Sequence, residues 1–552
     1  MVLAGALIYQ PTNHDAHTYR LPRMFHWLAE GRWHWIHTGD ERLNWAGTTS
    51  EWVSLPLLTL TNSFQWLWVV NFFLYLLLPG LFFATFRAMG FGRRAAWSWM
   101  WLLPTAFCFV AQAGSIGNDT YGATFALLSV YFALSARTGS FVSFSLCVLS
   151  AALLTGSKAS NIPLILPAAV ALVPACKWLQ HRLAAVFIVF AFSMFLSFGT
   201  NAALNHYHAG HWTGASHNDQ KLRLESPTAG LVGNSLLLTL GSVQPPILPG
   251  AQTISRVLNQ SMPKEIDRWL SVEFPHFRLE LFDISTEENA GLGIGITIAF
   301  VFALIAQFWM SGVSTTVKPT QLQLITGIAA WPSLLVFCLS LGSEAAARLS
   351  VPYASLCFAG AWIVLIKYQD IVRWRSWRLV ALICGLAAFP VVILSPARPL
   401  WPSLTILGNI DIDKSYPILQ RALDVYSTYR QRSQALQPVK SALPVGSERV
   451  GFCSGGNDLE ASLWLPYGSL RIFHVTPGDS PERIKSLALS AICVSDRTLK
   501  SKWNTTPEEF ASRYNGIISS RPVVKQMVRW GCDQWYVITF QKDLRLEDFS
   551  EL

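Results

Sequence analysis

Asp15, Asp119 and Glu344 are carboxylates and Lys158 and Arg348 are cations. Each is set in or beside a polar turn between long apolar stretches of a 552-residue chain. That combination suits one kind of chemistry. A carboxylate can take the proton of an attacking hydroxyl or amine, while Lys and Arg hold a departing phosphate as its charge grows. Each residue also has a plainer reading. Asp119 follows Asn118 in A-G-S-I-G-N-D-T-Y-G, at the start of an apolar stretch where Asp or Asn caps backbone N–H groups. Lys158, in L-T-G-S-K-A-S-N-I-P, could reach toward lipid headgroups. Glu344 and Arg348 are four apart and could pair along a helix. Taken singly each signal is weak; together, carboxylates and cations make up nearly all the polarity of these turns.

The first long loop concentrates more of the same: Q-P-T-N-H-D-A-H-T-Y-R-L-P-R-M-F-H-W-L-A-E-G-R-W, residues 10–33. The spacing predicts a helix from about 16 to 30, with Leu21, Met24, Phe25 and Leu28 on one face. Arg20, Arg23 and Glu30 fall on the other, and Trp27 and Trp33 suit the headgroup layer. Such a helix is expected to lie in the membrane interface. A simple amphipathic anchor is the plainer reading. It does not account for a carboxylate, two Arg and three His (His14, His17, His26) gathered beside the membrane surface.

The elements that must position these residues follow from composition. Hydrophobic residues are 51% of the chain and charged ones 14%, against about 25% charged in a soluble protein. The deficit is uneven: 40 of the first 395 residues are charged but 35 of the last 157. A wholly soluble enzyme, a disordered chain and a nucleic-acid-binding domain are thereby excluded. A hydrocarbon core takes roughly 20 apolar residues as helix. Ten stretches meet or approach this: 64–86, 95–113, 120–136, 140–157, 162–176, 183–204, 291–309, 321–342, 352–366 and 379–395. Residues 1–10 read as the outer end of a further helix whose start is missing. They carry no basic run or cleavage site of a signal peptide.

Basic residues orient the spans. One set of loops holds Arg87, Arg93, Arg94, Arg137, Lys177, Arg182, Lys318, Lys367, Arg373, Arg375 and Arg378 against the single acid Asp370. These loops are expected to be cytoplasmic, which places 11–63, 205–290 and everything after 396 outside. Most of the +9 net charge is then a topology signal that needs no acidic partner. Segment 228–247 is read as interfacial or re-entrant, because counting it as a span would invert every later loop. The expected fold class is an all-α polytopic membrane domain, residues 1–395 with about 10–11 transmembrane helices, followed by a small extracytoplasmic α/β domain, residues 396–552.

In that second part, runs within 448–453, 469–475, 490–495 and 534–540 read as strands, with helices near 414–436, 457–464 and 506–515. G-F-C-S-G-G-N-D follows a strand and admits a phosphate loop, but it matches no nucleotide-binding pattern, and a non-nucleotide accessory role is preferred. His206, His208, His211 and His217 lie close in sequence without an established zinc spacing. Six of the nine cysteines fall in the spans as apolar filler; one disulfide is open among Cys453, Cys493 and Cys532.

The first loop, D-A-H-T-Y-R-L-P-R-M-F-H-W-L-A-E-G, resembles the D-S-x-x-Y-H-L-P-R-x-x-x-W-x-x-x-G loop of bacterial integral-membrane glycosyltransferases of the GT-C superfamily, relatives of protein O-mannosyltransferases and aminoarabinose transferases. Asn118-Asp119, the turn at Lys158 and R-L-S-V-P-Y at 348–353 are similar to that group more loosely, and the likeness spans most of 11–395. It implies a hexosyl- or pentosyltransferase using a polyprenyl-phosphate sugar donor, with a glycan, lipid or protein as acceptor. Asp15 and Asp119 match the family's acidic residues, and Glu51, in T-T-S-E-W-V-S-L-P, matches the acid opening its second interfacial helix. Lys158, Arg348, Arg20 and Arg23, with Glu51 and Asn118, form the expected substrate- and phosphate-binding set. Arg20 stands where the relatives show His, and His14 replaces a second acid beside Asp15. A divalent cation at Asp15 and Asp119 therefore stays open. No nucleotide or redox cofactor and no nucleic acid is expected. The site is expected at the outer face of the cytoplasmic (inner) membrane. A transporter or flippase for lipid-linked or small polar substrates is the alternative; it calls for mid-membrane charges and an internal repeat, whereas these charges lie at helix ends.

Overall fold

The computed structural model describes residues 1–214, 223–309, 319–364, 375–410, 417–529 and 531–540. The chain divides into two compact units. One comprises Met1–Asn13, Trp45–Thr61 and Gln65–Ala422; the other comprises His14–Asn44, Asn62–Phe64 and Leu423–Leu552. The expected division at residue 395 thus differs from the compact units in two places. The first loop folds with the C-terminal segment, and residues just past 395 stay with the helices.

The first unit is helical. Over its described residues, each of the ten apolar stretches falls mainly in one or more helices. Stretch 95–113 is broken around Pro104 into Arg93–Leu102, Leu103–Thr105 and Phe107–Gln112. Stretch 183–204 is broken at Ser197, whose side chain accepts from Gly199 N–H to start a new helix. Among the described residues, four helical stretches are long and apolar enough to cross a membrane: Phe64–Ala88, Ala159–Leu196, Gln321–Ser340 and Arg375–Leu394. Segment 228–247 forms the helix Pro227–Val243. It packs on the end of Gln321–Ser340: Asn234 donates to the carbonyls of Cys338 and Leu341 at 2.8 and 2.6 Å.

The helix Asp119–Ala136 is the pivot of this unit. Ala123, Ala126, Leu127, Val130 and Ala133 are all fully buried, and the three small alanines let neighbouring backbones approach closely. A helix packed on all sides has little freedom to rotate, so its first residue, Asp119, has a fixed place.

The second unit carries a six-stranded sheet: β1 Arg449–Cys453, β2 Arg471–His474, β3 Ala491–Ser495, β4 Gly516–Ser520, β5 Val523–Met527 and β6 Gly531–Phe540. The order is β2-β1-β3-β6-β4, with β5 also paired to β6. β1 runs parallel to β2 and β3, whereas β6 is antiparallel to β3, β4 and β5. The expected α/β character holds, and the four expected strands are β1, β2, β3 and β6. The expected helix at 457–464 is only a 3₁₀ turn, Glu460–Ser462. All nine cysteines are free thiols.

One expectation needs correction. The helical segment of the first loop is π-helical over Ala16–Arg20 and α-helical over Leu21–Glu30, and residues Leu21 to Trp27 are all buried. Phe25 stacks on Tyr467 at 5.3 Å and lies 5.7 Å from Trp464. Arg20 and Arg23 are buried as well. The amphipathic pattern reported a face to be buried, and protein from the C-terminal segment supplies the partner that lipid was expected to supply.

Candidate functional site

In the helical unit the structure brings Asp119, Lys158 and Arg348 together. Lys158 ends the helix Phe141–Ser157 in an extended conformation, which turns its side chain onto the Asp119 carboxylate; Nζ donates to Oδ1. Arg348, on the short helix Ala346–Leu349, places Nε 3.6 Å from Oδ2. Asp119 is 3% exposed and Arg348 8%, so neither charge is solvated by bulk water. Lys158 keeps 17% of its side chain exposed.

The capping reading of Asp119 does not hold, and Gln112 is the reason. Its Oε1 accepts from the backbone N–H of Asp119 and Thr120 at 3.1 and 3.0 Å, and its Nε2 donates to Asp119 Oδ2 at 2.6 Å. The amide caps the helix and leaves the Asp119 carboxylate for the cations. Two cations and an amide N–H around one carboxylate form a donor set that does not suit a divalent metal. Arg348 is buried and turned to Asp119, while Glu344 is exposed.

Neighbouring residues hold this arrangement. Asn118 donates to the Ser157 carbonyl at 3.2 Å, linking the Asp119 turn to the turn before Lys158. Asn71 donates to the carbonyls of Gln112 and Gly117 at 3.3 and 2.6 Å. Gly156 permits the chain at Thr49 and Leu196 to touch the end of the Lys158 helix. A Cβ there would lie 1.9 Å from Thr49 Oγ1 and 2.3 Å from Leu196 O. Glu51 follows on the helix Thr49–Thr61, buried, accepting from Ser50 Oγ at 2.8 Å.

A second polar node in this unit escaped the sequence reading. Glu287, buried on a 3₁₀ turn, accepts from Asn13 Nδ2 at 2.6 Å and Ser115 Oγ at 2.8 Å, and lies 3.5 Å from Arg398 Nη2. Burial pushes its carboxyl above the usual range, against the pull of Arg398. The 112–119 turn thus meets both nodes, through Ser115 here and through Gln112 and Asp119 at the first. Glu287 is one of two adjacent acids in T-E-E-N, and nothing in that stretch marks one of them for burial.

The other expected residues belong to the second unit. Asp15 is half-buried at the start of the π-helical turn. Arg20, Arg23 and Arg42 surround the Tyr19 ring, their guanidinium carbons 5.9, 6.0 and 5.0 Å from its centroid. Arg42 also makes a two-pronged pair with Asp40, at 3.0 and 2.7 Å. Nearby, Glu460 accepts from Trp464 Nε1 at 3.0 Å and faces His26 Nε2 at 3.1 Å and His474 Nε2 at 2.9 Å. Burial alone would raise the Glu460 carboxyl; His474 and His26 outweigh it and hold the group well below the usual carboxylate range. Burial keeps His26 below its ordinary value, despite Glu460.

The loop read as a phosphate cradle closes on itself. Asp458 accepts from Gly455 N–H at 2.7 Å and from Gln526 Nε2 at 2.9 Å, and Ser454 Oγ accepts from Gly456 N–H at 3.1 Å. Of the four loop histidines, His211 meets Thr213 Oγ1 at 2.7 Å, and His217 lies outside the described residues.

No family model matches the chain, and no curated protein matches it. Among solved structures it is similar to ArnT from Cupriavidus metallidurans, in the crystal structure of the apo state and in that bound to undecaprenyl phosphate. For each, sequence identity is 15%, the match covers 97% of this chain and 97% of that chain, and the TM-score is 0.49.

Proposed function

We propose that this protein is an integral-membrane glycosyltransferase that moves a sugar from a polyprenyl-phosphate donor to an acceptor, at the outer face of the cytoplasmic membrane. The observation that carries the reading is the charge balance at Asp119: two cations, Lys158 and Arg348, share one buried carboxylate. Lys158 stands at the end of the apolar helix Phe141–Ser157 and Arg348 just before the apolar helix Val351–Val364.

Two cations fixed on one carboxylate fit the reaction's change in charge. A polyprenyl-phosphate sugar is a phosphodiester with one negative charge. As the anomeric carbon–oxygen bond breaks, the phosphate becomes a monoester and gains a second. Fixed cations favour the more charged state over the ground state, and only such differential binding speeds the step. Asp119 neutralises one cation and orients both, so little reorganisation is needed when the charge develops. The attacking hydroxyl or amine enters from the side opposite the phosphate, forms the new bond in a single displacement and inverts the anomeric centre. Its proton goes to a carboxylate base, a role that for Asp15 rests on the sequence pattern.

The test is a transfer assay in proteoliposomes with synthetic polyprenyl-phosphate sugars. Lys158→Met is expected to lower kcat by about 10²–10³, the usual cost of one fixed donor to a developing anion. Unchanged kcat in Lys158→Met overturns the phosphate role of the cluster. Full transfer by Asp15→Asn removes Asp15 from the reaction.

A further inference from the structure

We propose that His26, Glu460 and His474 hold a divalent transition-metal ion, zinc in the first instance, that ties the first loop to the C-terminal sheet within the second unit. The three residues come from distant parts of the chain, yet their ligand atoms all lie within 4.8 Å of one another, and all three residues are buried. Two nitrogens and a carboxylate oxygen are the ligand set of many zinc sites, in which a fourth position is left for water. Four-coordinate zinc with bonds near 2.0–2.1 Å sets its ligands roughly 3.3 Å apart. The imidazole nitrogens already sit 3.1 and 2.9 Å from the Glu460 oxygens, so small side-chain shifts would admit the ion.

The surroundings are those of a supported ligand set. A metal-binding imidazole uses its other nitrogen to donate to a second partner, which fixes ring and tautomer. His474 Nδ1 has such a partner in Thr38 Oγ1, at 2.6 Å. That hydroxyl is itself held by Asp40: it accepts from the Asp40 N–H at 2.9 Å and donates to the Asp40 carbonyl at 3.4 Å. In the tautomer that donates Nδ1–H to Thr38, Nε2 turns a lone pair toward Glu460. An ion between them then supplies the positive charge that both the lone pair and the buried carboxylate call for. Glu460 is oriented in turn by the Trp464 indole N–H, at 3.0 Å. Without an ion the same side chains form a row of hydrogen bonds, and the experiment separates the two cases.

This site is independent of the glycosyl-transfer reading. Full-length protein in detergent is incubated with Zn²⁺ alone, desalted and assayed for bound metal; Co²⁺ replaces Zn²⁺ for absorption spectra. One zinc per chain is expected, with the visible bands of four-coordinate Co²⁺, both lost in Glu460→Gln and His474→Ala. X-ray absorption at the zinc edge of the unsubstituted protein covers the case in which a variant fails to fold. It should show a nitrogen and oxygen shell with scattering from two imidazole rings. Chelation should lower the midpoint of thermal unfolding of the unsubstituted protein and leave that of Glu460→Gln unmoved. Absence of bound zinc, zinc retained undiminished by both variants, or a shell without imidazole overturns the proposal.

Discussion

Replacing Asp119 by Asn removes one negative charge and little volume, and it takes that counter-charge away from two cations. Arg348 Nε lies 3.6 Å from the carboxylate. At an effective dielectric near 20, that attraction is about 5 kcal/mol before desolvation is set against it. Lys158 adds a comparable attraction, reduced by its partial exposure. Gross attractions are not net stability, because burying the charges has already cost most of it. The relevant quantity is the loss when one partner of a buried pair is removed, about 3–5 kcal/mol. The Asn amide can still accept from Gln112 through its oxygen, but its N–H groups then face the Lys158 ammonium, donor against donor.

Unfolding entropy is roughly 2.1 cal/mol/K per residue, and the helical unit has about 390 residues. Asp119→Asn is therefore expected to lower the apparent Tm by roughly 4–6 °C. Tryptophan fluorescence at a fixed scan rate in detergent reads the shift directly. Asp119→Asn combined with Lys158→Met should recover part of the loss, since it removes one of the two cations that faced Asp119. A Tm within ~1 °C of the unsubstituted protein would refute the reasoning, because Asp119 would then not be the counter-ion of buried cations. Lys158→Met alone leaves Asp119 paired with Arg348, so its loss of stability should be smaller while its loss of transfer is large. That contrast separates the carboxylate's structural part from the ammonium's chemical one.

Two further outcomes follow from the geometry. Gly156→Ala drives a Cβ into Thr49 Oγ1 and the Leu196 carbonyl; it should cost about 3 kcal/mol or more and lower transfer through the displaced Lys158, whereas Gly139→Ala, with nothing within 4 Å but a positive φ of 89°, should cost only its backbone strain and spare kcat. Glu287 has its folded pKa raised above the ordinary 4.5 by burial. The stability it contributes is complete below that value and is lost as pH rises through the folded pKa. Glu287→Gln should flatten the decline of apparent Tm with rising pH above about 4.5. An unchanged slope would show that the carboxyl does not titrate there.

Much of the helical unit was legible because apolar length is a property of consecutive residues. All ten apolar stretches are mainly helical over their described residues, and the scarcity of charge made Asp119, Lys158 and Arg348 stand out before any fold was known. The choice between capping and chemistry at Asp119 was not legible. It turns on Gln112, an uncharged residue seven positions earlier whose amide reaches the helix start only after the turn between them has folded. Glu287 and Arg398 were missed for a related reason: Glu287 sits among ordinary polar residues and Arg398 in the loop S-P-A-R-P-L, and burial is decided by what packs over them. β4 and β5 were missed because G-I-I-S-S and V-V-K-Q-M are short and become strands by pairing with β6.

The first loop marks the boundary most sharply. Sequence by itself determined that a helix from about 16 to 30 has a face to be buried, since periodicity records which side chains avoid water. It could not determine the partner. Lipid and protein are equally apolar to such a face, and only tertiary structure supplied Trp464 and Tyr467 to cover Phe25. The same folding brought His26 to Glu460 and His474, more than 430 residues away in the chain. Local pattern encodes the need for burial; contacts of that separation exist only once the chain has closed on itself.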